Sequence, residues 1–304
     1  MNVIRPVTVT DAILTSCTVL EPSTGETAWN AATSYAVGAQ AIRTTTHRIY
    51  ECLIAGVNAT LPENATTGTT PRWFDVGPTN KWAMLDAKAS TQTKATTSMT
   101  YVFNPVTSVT GIGFFKMKGS NVRIQVSYSG SSVIDETYSL DGTIVDSSWS
   151  WFFEPFAQKE TLVMVTIPPY YRPTMTITIS GSSGAEVGCG MCSFGSVKPL
   201  GSARYGTGFG IADYSGITTD AFGDTSFVRR GNSRILKLDL IFKTSELESF
   251  DKTIRELTAT PCVWQATEVD DYQFLSTFGF FPNMDTSIPT HGQGTCALEI
   301  REVI

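Results

Sequence analysis

Four large aromatic residues lie within a short stretch near the start of the chain that is rich in Thr, Ala, Gly and Asn. They are Trp29, Tyr35, Tyr50 and Trp73. Sugar rings present flat C–H faces that stack on aromatic rings, and polar loops exchange hydrogen bonds with sugar hydroxyls. The pattern therefore predicts a sugar-binding surface. A competing interpretation is that so small a module needs the same side chains as its minimal core, and for each single residue we favour the core.

The spacing Cys189-Gly-Met-Cys192 is the one pattern typical of zinc or iron–sulfur ligands. A full site needs two further ligands, and Cys262 and Cys296 are the later thiols available. Isolated thiols in strands are usually buried small hydrophobic groups, and we favour that interpretation. We expect no metal and no cofactor, with Cys189 and Cys192 kept as the candidate pair.

Catalytic motifs are not recognisable in the sequence. The two histidines, His47 and His291, stand in no catalytic pattern, and residues 181–184 lack the spacing of a nucleophile elbow. Residues 206–210 carry three glycines but lack the offset and the following helix of a dinucleotide loop. We expect a Gly-rich strand or bulge there.

The carboxylate pair of a glycoside hydrolase is defined in space, so the sequence leaves such a pair open. The acids to inspect are Asp135, Glu136, Asp213, Asp270 and Asp271. We expect each of them to be a solvated or turn-capping acid. The sequence therefore predicts a protein that is not an enzyme.

Composition argues against nucleic acid as a partner. The chain has 22 Lys and Arg against 28 Asp and Glu in 304 residues, a formal net charge of −6. Phosphate neutralisation needs clustered basic side chains, and the densest basic run is Arg229, Arg230 and Arg234. We interpret this run as a solvated strand end.

No stretch predicts a membrane span or a secretory signal. The longest apolar runs, such as 162–167, are far shorter than the roughly 20 residues that a membrane helix needs. The N-terminal segment is interrupted by Asp11 and several threonines. We therefore expect folding in the cytoplasm, six reduced cysteines and unglycosylated sequons at Asn58 and Asn64.

Several segments alternate apolar and polar residues with a period of two, which predicts half-buried strands. They are residues 122–128, 174–180, 236–242 and 296–301. Turn-forming Gly, Pro, Asp and Ser separate them. The fold class predicted is all-β, a multidomain protein of β-sandwich or jelly-roll type.

One short helix is predicted near the C-terminus, over residues 245–258. Ser245-Glu-Leu-Glu248 matches a capping box, and Thr260-Pro261 ends the helix. Leu247, Phe250 and Ile254 recur at helical spacing, so one face must pack on a sheet.

Four regions follow from this pattern. Residues 1–26 are predicted to be an arm, with a strand from Val7 to Val19 that joins a sandwich. Residues 27–80 form the aromatic module. Residues 81–201 form a sandwich whose predicted strands include the segment 149–153, and residues 202–304 form a β-rich domain with the helix.

The aromatic module resembles a known family. The residues that carry the likeness are Ala28-Trp29-Asn30, Tyr35-x-x-Gly38, Tyr50, Asn58, Pro62 and Trp73. They resemble the small chitin-type carbohydrate-binding modules of families five and twelve, in which Gly-Asp-x-Val stands where this chain has Gly38-Ala-Gln-Ala41. The resemblance implies a carbohydrate-binding fold and, at Trp29, Tyr35, Tyr50 and Trp73, contacts to polysaccharide.

The remainder is similar to tail proteins of tailed bacteriophages. The segments concerned are 73–86, 206–214, 222–230, 261–264 and the final helix and strand. This resemblance implies a non-enzymatic tail-tip or baseplate component of a virion, assembled in the host cytoplasm. It also implies homo-oligomeric contacts, other virion tail proteins as partners, and contact with cell-surface polysaccharide.

Three hypotheses about function remain. The first is a structural tail-tip or baseplate component that carries a carbohydrate-binding-like module. The second is a primary receptor-binding protein whose main task is glycan adhesion. The third, which we disfavour, is a glycan-degrading enzyme, because no catalytic constellation is visible.

Overall fold

The computed structural model describes residues 1–23, 26–142, 147–153 and 157–303, without the side chains of residues 150, 151 and 270–272. About 50% of the chain is strand and 9% is helix. The strand pairs are antiparallel throughout the described sheets. The predicted all-β class, with a helix near the C-terminus, is confirmed.

The strands and helices are numbered in chain order. They are β1 Asn2–Pro6, β2 Leu14–Cys17, β3 Ser34–Tyr35, β4 Gln40–Arg43, β5 Arg48–Cys52, β6 Gly56–Val57, β7 Trp73–Pro78, β8 Thr93–Thr96, β9 Ser98–Phe103, β10 Gly111–Phe115, β11 Asn121–Tyr128, β12 Ser131–Ser139, α1 Ser148–Phe153, β13 Leu162–Met164, β14 Thr174–Ser180, β15 Glu186–Cys189, β16 Met191–Pro199, β17 Ser202–Ala203, β18 Gly208–Asp213, β19 Gly216–Thr219, β20 Thr225–Val228, β21 Asn232–Lys243, α2 Leu247–Glu256, β22 Cys262–Gln265, β23 Ser276–Thr290 and β24 Gln293–Glu302. Short 3-10 turns lie at Pro62–Asn64, Ala83–Leu85, Thr244–Glu246 and Asp270–Leu275.

Two sheets enclose the largest core. A five-stranded sheet has the order β12-β11-β14-β9-β2, and a ten-stranded sheet begins β13-β10-β16-β1-β22. The inward side chains of β9, β11 and β14 form one cluster with those of β10 and β16, and Phe103 and Phe194 meet across it at 5.0 Å between ring centroids. Strict alternation allows this, because every second side chain points to the same face.

A second core lies under α2. Phe250 and Ile254 of the helix cluster with the buried leucines of β21 and with Trp264. The rings of Phe242 and Phe250 stack at 4.7 Å. The predicted packing of the helix on a sheet is therefore confirmed, and its apolar face supplies the contact.

The predicted capping box does not form. A 3-10 turn at Thr244–Glu246 precedes α2, and no side chain caps the helix at its first residue. The 3-10 turn already satisfies one of the backbone N–H groups at the start of the helix, because the N–H of Leu247 donates to the carbonyl of Thr244. The helix therefore begins at Leu247 and ends at Glu256, inside the predicted 245–258.

Two strand predictions are wrong. Within the predicted strand from Val7 to Val19 only residues 14–17 form a strand, β2, which follows a turn at residues 11–13, and β1 ends before this range at Pro6. The segment 149–153, assigned to the sandwich as a strand, is helix α1. In both segments the residues suit more than one local structure, and pairing partners decide between them.

The strand β1 links the two large regions of the chain. It pairs with β16 on one side and with β22 on the other, so the ten-stranded sheet continues across residue 201. The division into 1–26, 27–80, 81–201 and 202–304 stays a prediction.

Candidate functional site

The aromatic module is built on a three-stranded sheet of β4, β5 and β7, with β3 and β6 paired beside it. Three of the four predicted sugar-contact residues form its core. Tyr35, Tyr50 and Trp73 are all buried, and the rings of Tyr35 and Trp73 meet edge to face at 5.1 Å. Their packing agrees with the interpretation as core, and their role as sugar contacts stays a prediction.

Trp29 occupies a different position from the other three aromatic residues. It packs at the edge of this core and is only half-buried. The guanidinium of Arg43 lies 5.1 Å from the centre of its ring, and Arg43 also forms an ion pair with Glu63 at 3.1 Å. Trp29 is therefore the predicted contact residue that keeps part of its ring at the surface.

Unpaired polar atoms concentrate in this module. Five buried side-chain atoms have no hydrogen-bond partner among the described residues, namely Trp29 Nε1, Arg43 Nε, Asn58 Nδ2, Glu63 Oε2 and Trp73 Nε1. Buried polar groups in proteins are usually paired, so such a concentration is a feature of binding or of strain. The sequence predicted the aromatic residues here but gave no signal for the pair Arg43 and Glu63.

His47 lies in a charged cluster that the sequence did not predict. Its Nδ1 is 3.0 Å from a carboxylate oxygen of Glu21, and its Nε2 is 3.1 Å from Asp11. Glu21 also accepts hydrogen bonds from Thr79 at 2.6 Å and from the indole of Trp82 at 3.2 Å. The imidazole stacks on the Trp82 ring at 4.1 Å. The cluster therefore ties the N-terminal segment to the module, across residues far apart in sequence.

The candidate metal pair is buried. Cys189 ends β15 and Cys192 lies in β16, and both belong to the sandwich core. Burial raises the pKa of the Cys189 thiol to about 12 and also raises that of Cys192. Cys262 and Cys296 belong to the core under α2 instead. Within the described part of the chain, no group of three or more His, Cys, Asp or Glu side chains is placed to hold a metal ion.

The candidate acids serve local roles where their side chains are described. Asp135 forms a two-pronged ion pair with Arg123, and the hydrogen bond from this guanidinium lowers the pKa of the carboxyl. Asp213 accepts hydrogen bonds from Ser215, which lower its pKa. Glu136 accepts a hydrogen bond from Tyr138. The side chains of Asp270 and Asp271 lie outside the described residues.

The Gly-rich segment is a strand, as predicted. Residues 208–213 form β18, which pairs with β21. Among the described strands β18 has no second neighbour, and β19 and β20 pair only with each other. β18 therefore lies at an edge of the ten-stranded sheet, β19 and β20 form a separate hairpin, and many side chains of these three strands are exposed.

Exposed hydrophobic side chains concentrate in this region. We call residues 205–228 the apolar arm, and its large exposed side chains are Tyr205, Phe209, Ile211, Tyr214, Ile217, Phe222, Phe227 and Val228. Exposed apolar side chains in such number are a common mark of a protein contact surface in soluble proteins. The sequence predicted strands here but not their exposure.

A cavity of about 690 Å³ with mixed polar and apolar walls lies beside the edge strand β13. Gln265, Gln273, Arg234 and Glu268 contribute to its walls.

Among the described residues, no helix is long and apolar enough to cross a membrane.

Comparison with known proteins gives little. No protein-family model and no curated protein matches the chain. Among solved structures, chitosan-binding module 1 derived from a chitosanase/glucanase of Paenibacillus sp. IK-5 is similar over 37% of this chain and 81% of that one. The identity is 12% and the TM-score is 0.25, and a likeness at this level defines neither fold nor function. The chain thus has a weak structural likeness to a carbohydrate-binding module, and the resemblance to tail proteins stays a prediction.

Proposed function

We propose that the protein is a structural subunit of a phage tail tip or baseplate, which assembles with further copies and other tail proteins in the host cytoplasm and is carried in the virion. The apolar arm is the observation that supports this proposal most directly. Two of the segments that resemble tail proteins, 206–214 and 222–230, lie largely within the arm.

The physical argument concerns what covers the arm. An isolated two-stranded hairpin is at best marginally stable in water, and β19 and β20 have no third strand among the described residues. Unpaired strand edges and apolar strand faces promote association with another chain. Neighbouring subunits in a particle would contact the isolated hairpin and would also cover the unpaired strand edges and the apolar strand faces.

Catalysis has no part in the proposal. The described acids that were candidates for it are engaged in an ion pair with Arg123, a turn at Ser215 and a hydrogen bond from Tyr138. These partners give the acids structural roles. We therefore propose that the protein acts through its contact surfaces.

The first test changes the arm outside its hairpin. We expect the double variant Tyr205→Asp, Ile211→Asp to enter particles at least about tenfold less efficiently, because interface hydrophobic anchors commonly contribute about 2 kcal/mol or more. Complementation in trans, followed by quantitative mass spectrometry of purified particles, measures this. The matched control is Val76→Asp, Val106→Asp, which changes exposed hydrophobic residues outside the arm. Equal incorporation of the two double variants, both folded by circular dichroism, would contradict the proposal.

A second candidate function, glycan adhesion, is favoured by one observation. Trp29 is half-buried at the edge of the module's core and keeps part of its ring at the surface. A partly exposed aromatic ring can stack on the C–H face of a sugar. The module would then supply contact with cell-surface polysaccharide in addition to assembly.

A glycan array tests this second candidate. We expect Trp29→Ala to weaken binding by at least about tenfold, since loss of one stacking contact of about 1.4 kcal/mol has that effect. Phe74→Ala is the matched control, because Phe74 is an exposed aromatic residue of the same module. Absence of any glycan binding by the unaltered protein would remove the adhesion hypothesis and leave the assembly proposal in place.

A further inference from the structure

The hairpin of β19 and β20 has an ordered geometry despite its exposure. Ile217 lies opposite Phe227, and Thr218 lies opposite Ser226 with their hydroxyls 2.6 Å apart. Asp220 closes the tip by accepting hydrogen bonds from the backbone N–H groups of Phe222 and Asp224. Directly opposed residues share a face, so Ile217 and Phe227 present one exposed apolar pair.

Charge is distributed unevenly along this hairpin. Its tip carries Asp220 and Asp224, and the chain leaving its base carries Arg229 and Arg230. All four residues are exposed. None of the four forms an ion pair with a described residue. The hairpin is therefore acidic at one end and basic at the other, with an apolar pair between.

We propose that this hairpin joins two copies of the chain, packed antiparallel about a two-fold axis, an inference that rests on the proposed function. The acidic tip of each copy then meets the basic base of the other. A contact of this kind is isologous, so the same surface serves both copies and closes as a pair.

The spacing along the strands agrees with this arrangement. Strands rise about 3.4 Å per residue, so the acids lie about 14 Å beyond the row of Gly216 and Val228. Arg229 lies one residue before that row. The midpoint between acids and Arg229 therefore falls between the Ile217–Phe227 row and the Thr218–Ser226 row. An axis at that midpoint places the apolar pairs of the two copies one residue apart along the strands and places Arg229 of each copy level with the acids of the other.

Other arrangements of two hairpins lack this agreement. Parallel packing would place the acids of one copy against those of the other and the arginines against arginines. Like charges directly opposed are destabilising. A partner of different sequence would need to supply the same charge pattern. In that case the unaltered chain alone would stay monomeric.

The test reverses charge at each end of the hairpin. One variant carries Asp220→Asn and Asp224→Arg, in which Asn keeps the oxygen that closes the tip. The other carries Arg229→Asp and Arg230→Asp. Sedimentation equilibrium of the full chain is expected to give a dimer whose dissociation constant rises at least about tenfold in each variant alone. The dissociation constant of the unaltered dimer should also rise with ionic strength.

Mixing the two variants provides the decisive measurement. The first variant has basic character at both ends and the second has acidic character at both, so a mixed pair restores both contacts. We expect the dissociation constant of the mixed dimer to lie within about threefold of that of the unaltered dimer. A tenfold change in a dissociation constant corresponds to about 1.4 kcal/mol. Circular dichroism confirms that each variant is folded.

The outcomes separate this inference from the proposed function. Self-association that is unaffected by either variant, or a mixture no tighter than its components, overturns the antiparallel hairpin pair. An unaltered chain that stays monomeric, while Tyr205→Asp, Ile211→Asp still blocks entry into particles, overturns the pair and supports assembly with other proteins. An unaltered monomer whose arm variants enter particles normally overturns both.

Discussion

Replacing Trp73 by alanine is expected to lower the free energy of unfolding by about 3–5 kcal/mol, the usual cost of removing a large aromatic side chain from a core. Trp73 is only 1% exposed and packs edge to face on Tyr35 in the smallest core of the protein. So small a cluster cannot close the resulting cavity by rearranging other large side chains. Urea unfolding, with hydrogen exchange of the amides in β5 and β7, measures the loss and locates it.

The neighbouring residue provides the control for this prediction. Phe74 follows Trp73 in β7 but is 57% exposed, so Phe74→Ala is expected to change stability by less than about 1 kcal/mol. Trp73→Phe should cost less than Trp73→Ala, because it keeps a ring and removes an N–H without a partner among the described residues. Equal stability of Trp73→Ala and Phe74→Ala would contradict the placement of Trp73 in the core.

Replacing Glu21 by alanine is expected to destabilise the protein by about 3–5 kcal/mol, because it removes one partner of a buried charged cluster. The Glu21 side chain is 5% exposed and accepts from His47, Thr79 and Trp82. The variant leaves these three groups without their shared acceptor. Thermal unfolding at pH 7, compared with the unaltered chain, measures the effect.

The same histidine provides an internal comparison. Asp11 also contacts His47, but its side chain is 72% exposed, so Asp11→Ala is expected to cost no more than about 1 kcal/mol. Glu21→Gln keeps a side-chain oxygen of nearly the same position and should fall between the two alanine variants. A larger loss from Asp11→Ala than from Glu21→Ala would show that the buried contact is not the stabilising one.

Much of the sheet structure follows from the sequence alone. The alternation in 122–128 and 174–180 predicted β11 and β14, and their buried and exposed positions follow that alternation in the structure. The apolar face of residues 247–257 predicted the helix and its packing on a sheet. These predictions succeed because periodicity fixes which side chains share a face, and burial of that face then stabilises the element.

Other features required knowledge of which segments meet. The sequence near the N-terminus could not show that the strand there is residues 2–6, because β1 is defined by pairing partners near residues 197 and 263. The aromatic segment at 148–153 forms α1, although its composition suits a strand. Local propensity is weak compared with tertiary contacts, so it loses where the two disagree.

The candidate sites divide in the same way. By itself the sequence determined that Trp29, Tyr35, Tyr50 and Trp73 belong to one small module, since residue type and spacing are local properties. Only the tertiary structure decided that three of them are buried while Trp29 stays at the surface. It also brought Glu21 to His47 and left the arm uncovered, because burial depends on which distant segments pack together.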